Sequence, residues 1–64
     1  MKVEYDPSTD SMYIGFTDTP SAESEEVSEG LVLDYDAAGN VVGIDIQHAS
    51  TRGDVDRLIF ERVA

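Results

Sequence analysis

The 64-residue chain has no cysteine and no tryptophan, a single histidine, and four Lys or Arg side chains against fourteen Asp or Glu. Without cysteine there is no disulfide framework, and no Cys₄ or Cys₂His₂ zinc site can be assembled. A formal charge of -10 and a pI near 4.1 repel nucleic acid and anionic lipid, so a charge-guided partner must be basic or a cation. No apolar run approaches the roughly 18 residues of a membrane span. The opening Met1-Lys2-Val3-Glu4-Tyr5-Asp6 is charged and alternating, unlike a secretory signal. These features predict a cytoplasmic protein that engages neither nucleic acid nor membrane.

What remains is one small domain with 41% hydrophobic residues. A chain of this length buries only about 60% of its unfolded surface. With neither disulfide nor zinc to supplement so thin a core, association is expected: a homodimer, or a complex with a small basic protein. The charge is also uneven. Lys2 is the only basic residue among positions 1–49, whereas Arg52, Arg57 and Arg62 balance Asp54, Asp56 and Glu61 in the remainder.

Val3 and Tyr5 alternate with Lys2 and Glu4, the period of a half-buried strand. Asp6-Pro7-Ser8-Thr9-Asp10 then carries turn chemistry, because Pro presets φ and Asp can bond the backbone ahead of it. Met12, Ile14 and Phe16 share one parity, so residues 2–17 read as a hairpin. Residues 18–30 hold Pro20, three Ser and four Glu, and read as an acidic connection with room for a short edge strand near positions 23–27. Leu31, Leu33 and Tyr35, the turn Asp36-Ala37-Ala38-Gly39-Asn40, and Val42, Ile44 and Ile46 form a second hairpin over residues 31–47. The two hairpins correspond at an offset of thirty residues: Tyr5-Asp6 with Tyr35-Asp36, Asp10 with Asn40, Ile14 with Ile44.

The strand parities gather Val3, Tyr5, Met12, Ile14, Phe16, Leu31, Leu33, Tyr35, Val42, Ile44 and Ile46 on one face. A one-faced antiparallel sheet needs a cover. Val55, Leu58, Ile59 and Val63 recur at helical spacing behind an Asp54 N-cap, with Arg57 and Glu61 four apart. The expected fold class is therefore α+β: a small antiparallel sheet of two β-hairpins, about four strands, with a C-terminal helix near residues 54–63 packed on the apolar face. A final β-strand is the competing reading of that tail.

Several stretches in this order resemble one family of short bacterial proteins: Val3-Glu4-Tyr5-Asp6-Pro7, Asp10, Met12-Tyr13-Ile14, Glu25-Glu26-Val27, Leu31-Val32-Leu33-Asp34-Tyr35-Asp36, Gly39-Asn40-Val41-Val42-Gly43-Ile44-Asp45-Ile46 and Ala49-Ser50. The family is domain of unknown function 2283, and the similarity covers about residues 1–52. Met12 stands where the family usually has Leu, and Gly15 replaces a bulkier residue. The resemblance implies a domain of β-hairpins with a C-terminal helix and brings no catalytic residues. Some members resemble the antitoxin-like partner of a small neighbouring toxin-like protein.

The residues offer few chemical constellations. Asp34, Asp36, Gly39, Asn40 and Asp45 imitate parts of a calcium-binding EF-hand loop, but Ala38 and Val42 occupy two ligand positions and the flanks read as strands, not helices. Asp6 and Asp10 bracket a turn tip, where capping outweighs acid–base chemistry. Asp45, His48 and Ser50 supply triad residue types without a nucleophile elbow. The acidic run Glu23, Glu25, Glu26 and Glu29 reads as a solvated segment or a docking surface for a basic partner. Arg52, Arg57 and Arg62 are spaced by five, which makes no basic stripe. No catalytic, cofactor-binding or metal-ligating residue is assigned, and no enzyme is expected. The leading expectation is a non-catalytic interaction module, antitoxin-like in one version. The alternatives are a metal-binding or metal-dependent hydrolase domain using the Asp-rich turns, and a structural homodimer joined through Tyr13, Val32 and Val41.

Overall fold

A computed structural model describes all 64 residues. Five strands follow in sequence: β1 (Lys2–Asp6), β2 (Ser11–Gly15), β3 (Glu23–Ser28), β4 (Leu31–Tyr35) and β5 (Val41–Gln47). A 3₁₀ turn, Ala49–Thr51, comes after β5. The strands form one antiparallel sheet in the order β1-β2-β5-β4-β3.

Local chemistry explains the turns. The Asp6 carboxylate accepts hydrogen bonds from the Ser8 backbone N–H (2.9 Å) and hydroxyl (2.6 Å), closing the β1–β2 turn. Asp36 does the same for β4–β5, accepting from the N–H groups of Ala38 and Asn40, both at 2.9 Å. Gly39 takes φ 86° there, a conformation that costs a residue with a Cβ. These bonds stabilise the carboxylates, so both titrate below the ordinary value: Asp6 chiefly through Ser8, and Asp36 chiefly through the Asn40 amide.

The two expected hairpins are joined through their apolar centres, where Met12 faces Ile46 and Ile14 faces Ile44. The sheet has five strands, however, and the expected count of four is corrected. The acidic connection contains a full strand, β3, paired with β4 along Glu23–Ser28 and interrupted by an irregularity at Val27. Its backbone ladder supplies order that its polar side chains do not announce. A second irregularity in β5 shifts the register so that Asp34 faces Gly43 but Tyr35 faces Val41, leaving Val42 as the extra residue.

The expected C-terminal helix is absent, and the fold is all-β, not α+β. Beyond the 3₁₀ turn, residues 55–64 form neither helix nor strand. A helix of about ten residues is marginal unless packing holds it. Here β-branched Val55, Ile59 and Val63 lower its propensity further. The packing is not made: Leu58, Ile59, Phe60 and Val63 are 70%, 65%, 89% and 80% exposed. The expected Arg57–Glu61 pair is likewise not formed, since the single ion pair in the chain joins Lys2 to Glu4 at 3.4 Å.

Candidate interaction surface

The registers resolve the sheet into two chemically different faces. On one, Val3, Ile14, Ile44 and Leu33 line up across four strands and end on Glu25 of β3. The adjoining row runs Tyr5, Met12, Ile46, Leu31 and Ser28. Tyr35 and its neighbour Glu23 extend this face at one end. The face is apolar from β1 to β4 and acidic along the β3 edge.

Nothing roofs it. Val42 and Ala49, each 4% exposed, are the only buried hydrophobic residues. Tyr5, Met12, Ile14, Leu31, Leu33, Ile44 and Ile46 are half-buried, and Val3 is 37% exposed. The sheet therefore presents a continuous apolar surface on this side.

The opposite face is polar. Glu4, Tyr13, Asp45, Val32 and Glu26 form one row, and Lys2, Gly15, Gly43, Asp34 and Ser24 the next. The Tyr13 side chain lies over Gly43 so closely that a Cβ built there would fall 2.5 Å from the ring Cζ. Partial burial first, and then the nearby Asp34 carboxylate, raises the Tyr13 phenol above its usual value. Ser24 donates a 2.7 Å hydrogen bond to Asp34. Of the three residues expected to form a second apolar face, Tyr13 and Val32 stand on either side of Asp45, and Val41 faces Tyr35 instead.

One polar node ties the sheet to the segment that follows it. Asp10 and His48 both adopt left-handed backbone, with φ of 52° and 53°. The Asp10 carboxylate accepts hydrogen bonds from the Tyr5 hydroxyl (2.7 Å), the Ser50 N–H (3.0 Å) and the Ser50 hydroxyl (2.6 Å). Its backbone carbonyl accepts from Ala49 at 2.9 Å. These donors hold the Asp10 carboxyl below its usual range, Ser50 most strongly and Tyr5 next, while Asp10 raises the Tyr5 phenol.

The remaining candidates separate. Asp45 belongs to the polar face, His48 lies past the end of β5, and the Ser50 hydroxyl serves Asp10, so the three triad residue types do not form a Ser-His-Asp relay. In the EF-hand imitation, Asp36 is engaged by its own turn and Asp34 by Ser24. No group of three or more His, Asp or Glu side chains is placed to hold a metal ion. Glu23 and Glu25 border the apolar face, whereas Glu26 pairs with Val32 on the polar side. Arg52 donates to the Glu29 carbonyl, anchoring the chain after the 3₁₀ turn to the β3–β4 turn. Sequence reasoning missed the Asp10–Ser50 link; the only signal was the resemblance of Asp10 to Asn40 at the end of the other turn. A shallow depression of about 350 Å³ near Tyr13 and Phe16 gathers no reactive constellation.

The fold and surface define a small single-sheet β domain with one open apolar face. The chain belongs to the family described as protein of unknown function (DUF2283), whose model matches residues 2–50. That stretch contains all five strands and both ends of the Asp10–Ser50 bond. No curated protein and no solved structure matches the chain. No helix is long and apolar enough to cross a membrane.

Proposed function

We propose that this protein is a non-catalytic, cytoplasmic interaction module that receives its partner on the apolar face of the sheet. The open pair of rows centred on Ile14, Ile44, Met12 and Ile46 carries the reading. Hydrophobic docking surfaces of this kind give affinity, while surrounding charge sets association rate and partner choice. With a formal charge of -10 and Glu23 and Glu25 along the margin of the face, a hetero-partner would be a small basic protein. In the antitoxin-like version, that partner is a toxin encoded next door.

The test is a pull-down with the product of the adjacent gene at low and high salt. The antitoxin-like version requires a complex at low salt that weakens as salt rises. It also requires that Val3→Asp, on the edge of the apolar face, weaken capture more than Glu4→Ala on the polar face. Absence of a complex at low salt rejects this version.

A further inference from the structure

Two apolar surfaces of this chain lack a partner. One is the sheet face; the other is the tail, where Leu58, Ile59, Phe60 and Val63 stand in solvent. We propose that they cover each other between two copies, the tail of each protomer lying across the sheet face of the other in a two-fold reciprocal exchange. This inference rests on the interaction-module reading and names the occupant of its docking face.

Area favours exchange over simple face-to-face contact. Five strands of about five residues, at the usual strand spacing and rise, present a face of about 400 Å². A stable dimer buries about 800 Å² per partner. The sheet face alone is a small footprint for such a contact, and the four large tail side chains are the chain's remaining exposed apolar cluster of any size. The tail also has the reach. Eight extended residues beyond Asp56 span up to about 28 Å, comparable with the 33 Å long dimension of the molecule.

Position and charge agree. Val55 is half-buried, and Ser50, a few residues before it, bonds the Asp10 carboxylate that also receives the Tyr5 hydroxyl, so the tail leaves from the Tyr5 end of the apolar face. Beyond that corner, no hydrogen bond returns residues 58–64 to their own sheet. Arg57 and Arg62 have no carboxylate partner, and neither do Glu23 and Glu25 at the acidic margin. The apolar segment, net +1 from Arg57 and Arg62 against Glu61, thus meets an apolar face bordered by two free anions. A closed two-fold arrangement satisfies both copies at once and leaves no open end for further growth.

The absence of cysteine allows a direct test. Unlabelled protein carrying Val63→Cys and a nitroxide spin label is mixed with isotope-labelled wild-type chain. Exchange predicts paramagnetic broadening of the Leu33 and Ile44 amides in the unmodified copy. Light scattering should give twice the 7.0 kDa chain mass, falling to 7.0 kDa in Phe60→Asp with the sheet's amide spectrum retained. Broadening only when label and isotope share one chain would overturn the proposal, showing a tail that roofs its own sheet. A dimer unaffected by Phe60→Asp, with no broadening between copies, would overturn it too. A monomer that still captures the basic neighbour through the face bearing Val3 would overturn exchange while leaving the module reading intact.

Discussion

Ser50 and Asp10 are forty residues apart in sequence, yet the Ser50 hydroxyl lies 2.6 Å from the Asp10 carboxylate and its N–H lies 3.0 Å away. With Tyr5 donating to the same carboxylate, this node joins the first turn, β1 and the exit from β5. Asp10→Ala removes three acceptor contacts and leaves a left-handed backbone without the Asp or Asn that, glycine apart, best tolerates it. Its melting temperature should drop by several degrees, the largest loss in this set. Asp10→Asn keeps both the conformation and some bonding, and should lose less. Thermal unfolding of Asp10→Ala, Ser50→Ala and the double variant should reveal strong non-additivity, because both single changes break the same bonds.

Acid should act through the same carboxylates. Asp6, Asp10 and Asp36 titrate below their ordinary value in the folded chain. The unfolded chain, with Asp near about 3.9, binds protons first as pH falls. Their contribution is complete above that value and disappears as pH drops through the lower folded values. Tyr5 and Tyr13 are raised, so their contribution is complete below the unfolded tyrosine value and lost as pH climbs through the folded ones. Urea unfolding should therefore show stability declining below about pH 4 and above about pH 10. The acid loss should be smaller in Asp10→Asn.

Gly43→Ala should destabilise by about 1–3 kcal/mol, the usual penalty for forcing a methyl into an occupied space. The new Cβ would collide with the Tyr13 ring, and buried Gly43 has little slack. Combining it with Tyr13→Ser should recover part of the loss, which urea midpoints can measure. Equal losses with and without Tyr13 would assign the cost to the backbone.

How much of this was visible in the sequence depended on the reach of the interaction. The alternation of Val3 and Tyr5, of Met12 and Ile14, and of Val42, Ile44 and Ile46 marks strands because side chains alternate between the two faces of a sheet. Asp6 and Asp36 mark turns because their bonds span only two to four residues. Strand β3 was harder to see, since Glu23, Ser24, Glu25 and Glu26 lack an apolar parity and owe their order to pairing with β4. The Asp10–Ser50 bond requires the whole fold. Val55, Leu58, Ile59 and Val63 have a true helical spacing, but spacing becomes a helix only when something packs against it, and in the single chain nothing does.

Salt should separate the two kinds of partner. Two copies of a chain with charge -10 repel by more than Arg57 and Arg62 attract Glu23 and Glu25 across the interface, so the exchanged dimer should hold or tighten as salt screens the sum. A complex with a basic protein should weaken over the same range. Sedimentation equilibrium from about 20 to 500 mM salt, roughly a fivefold change in screening length, distinguishes these responses. A dimer that dissociates steadily with added salt would contradict the apolar exchange.

On the reading proposed above, the Ile14–Ile44 face is an interface and not an incidental bare surface. Light scattering on the full chain at low micromolar concentration, beside Val3→Asp and Phe60→Asp, tests it most directly. The natural sequence should give twice 7.0 kDa and both variants 7.0 kDa, with the sheet intact. A folded 7.0 kDa monomer for all three, with no gain in mass when the basic neighbour is added, would contradict it.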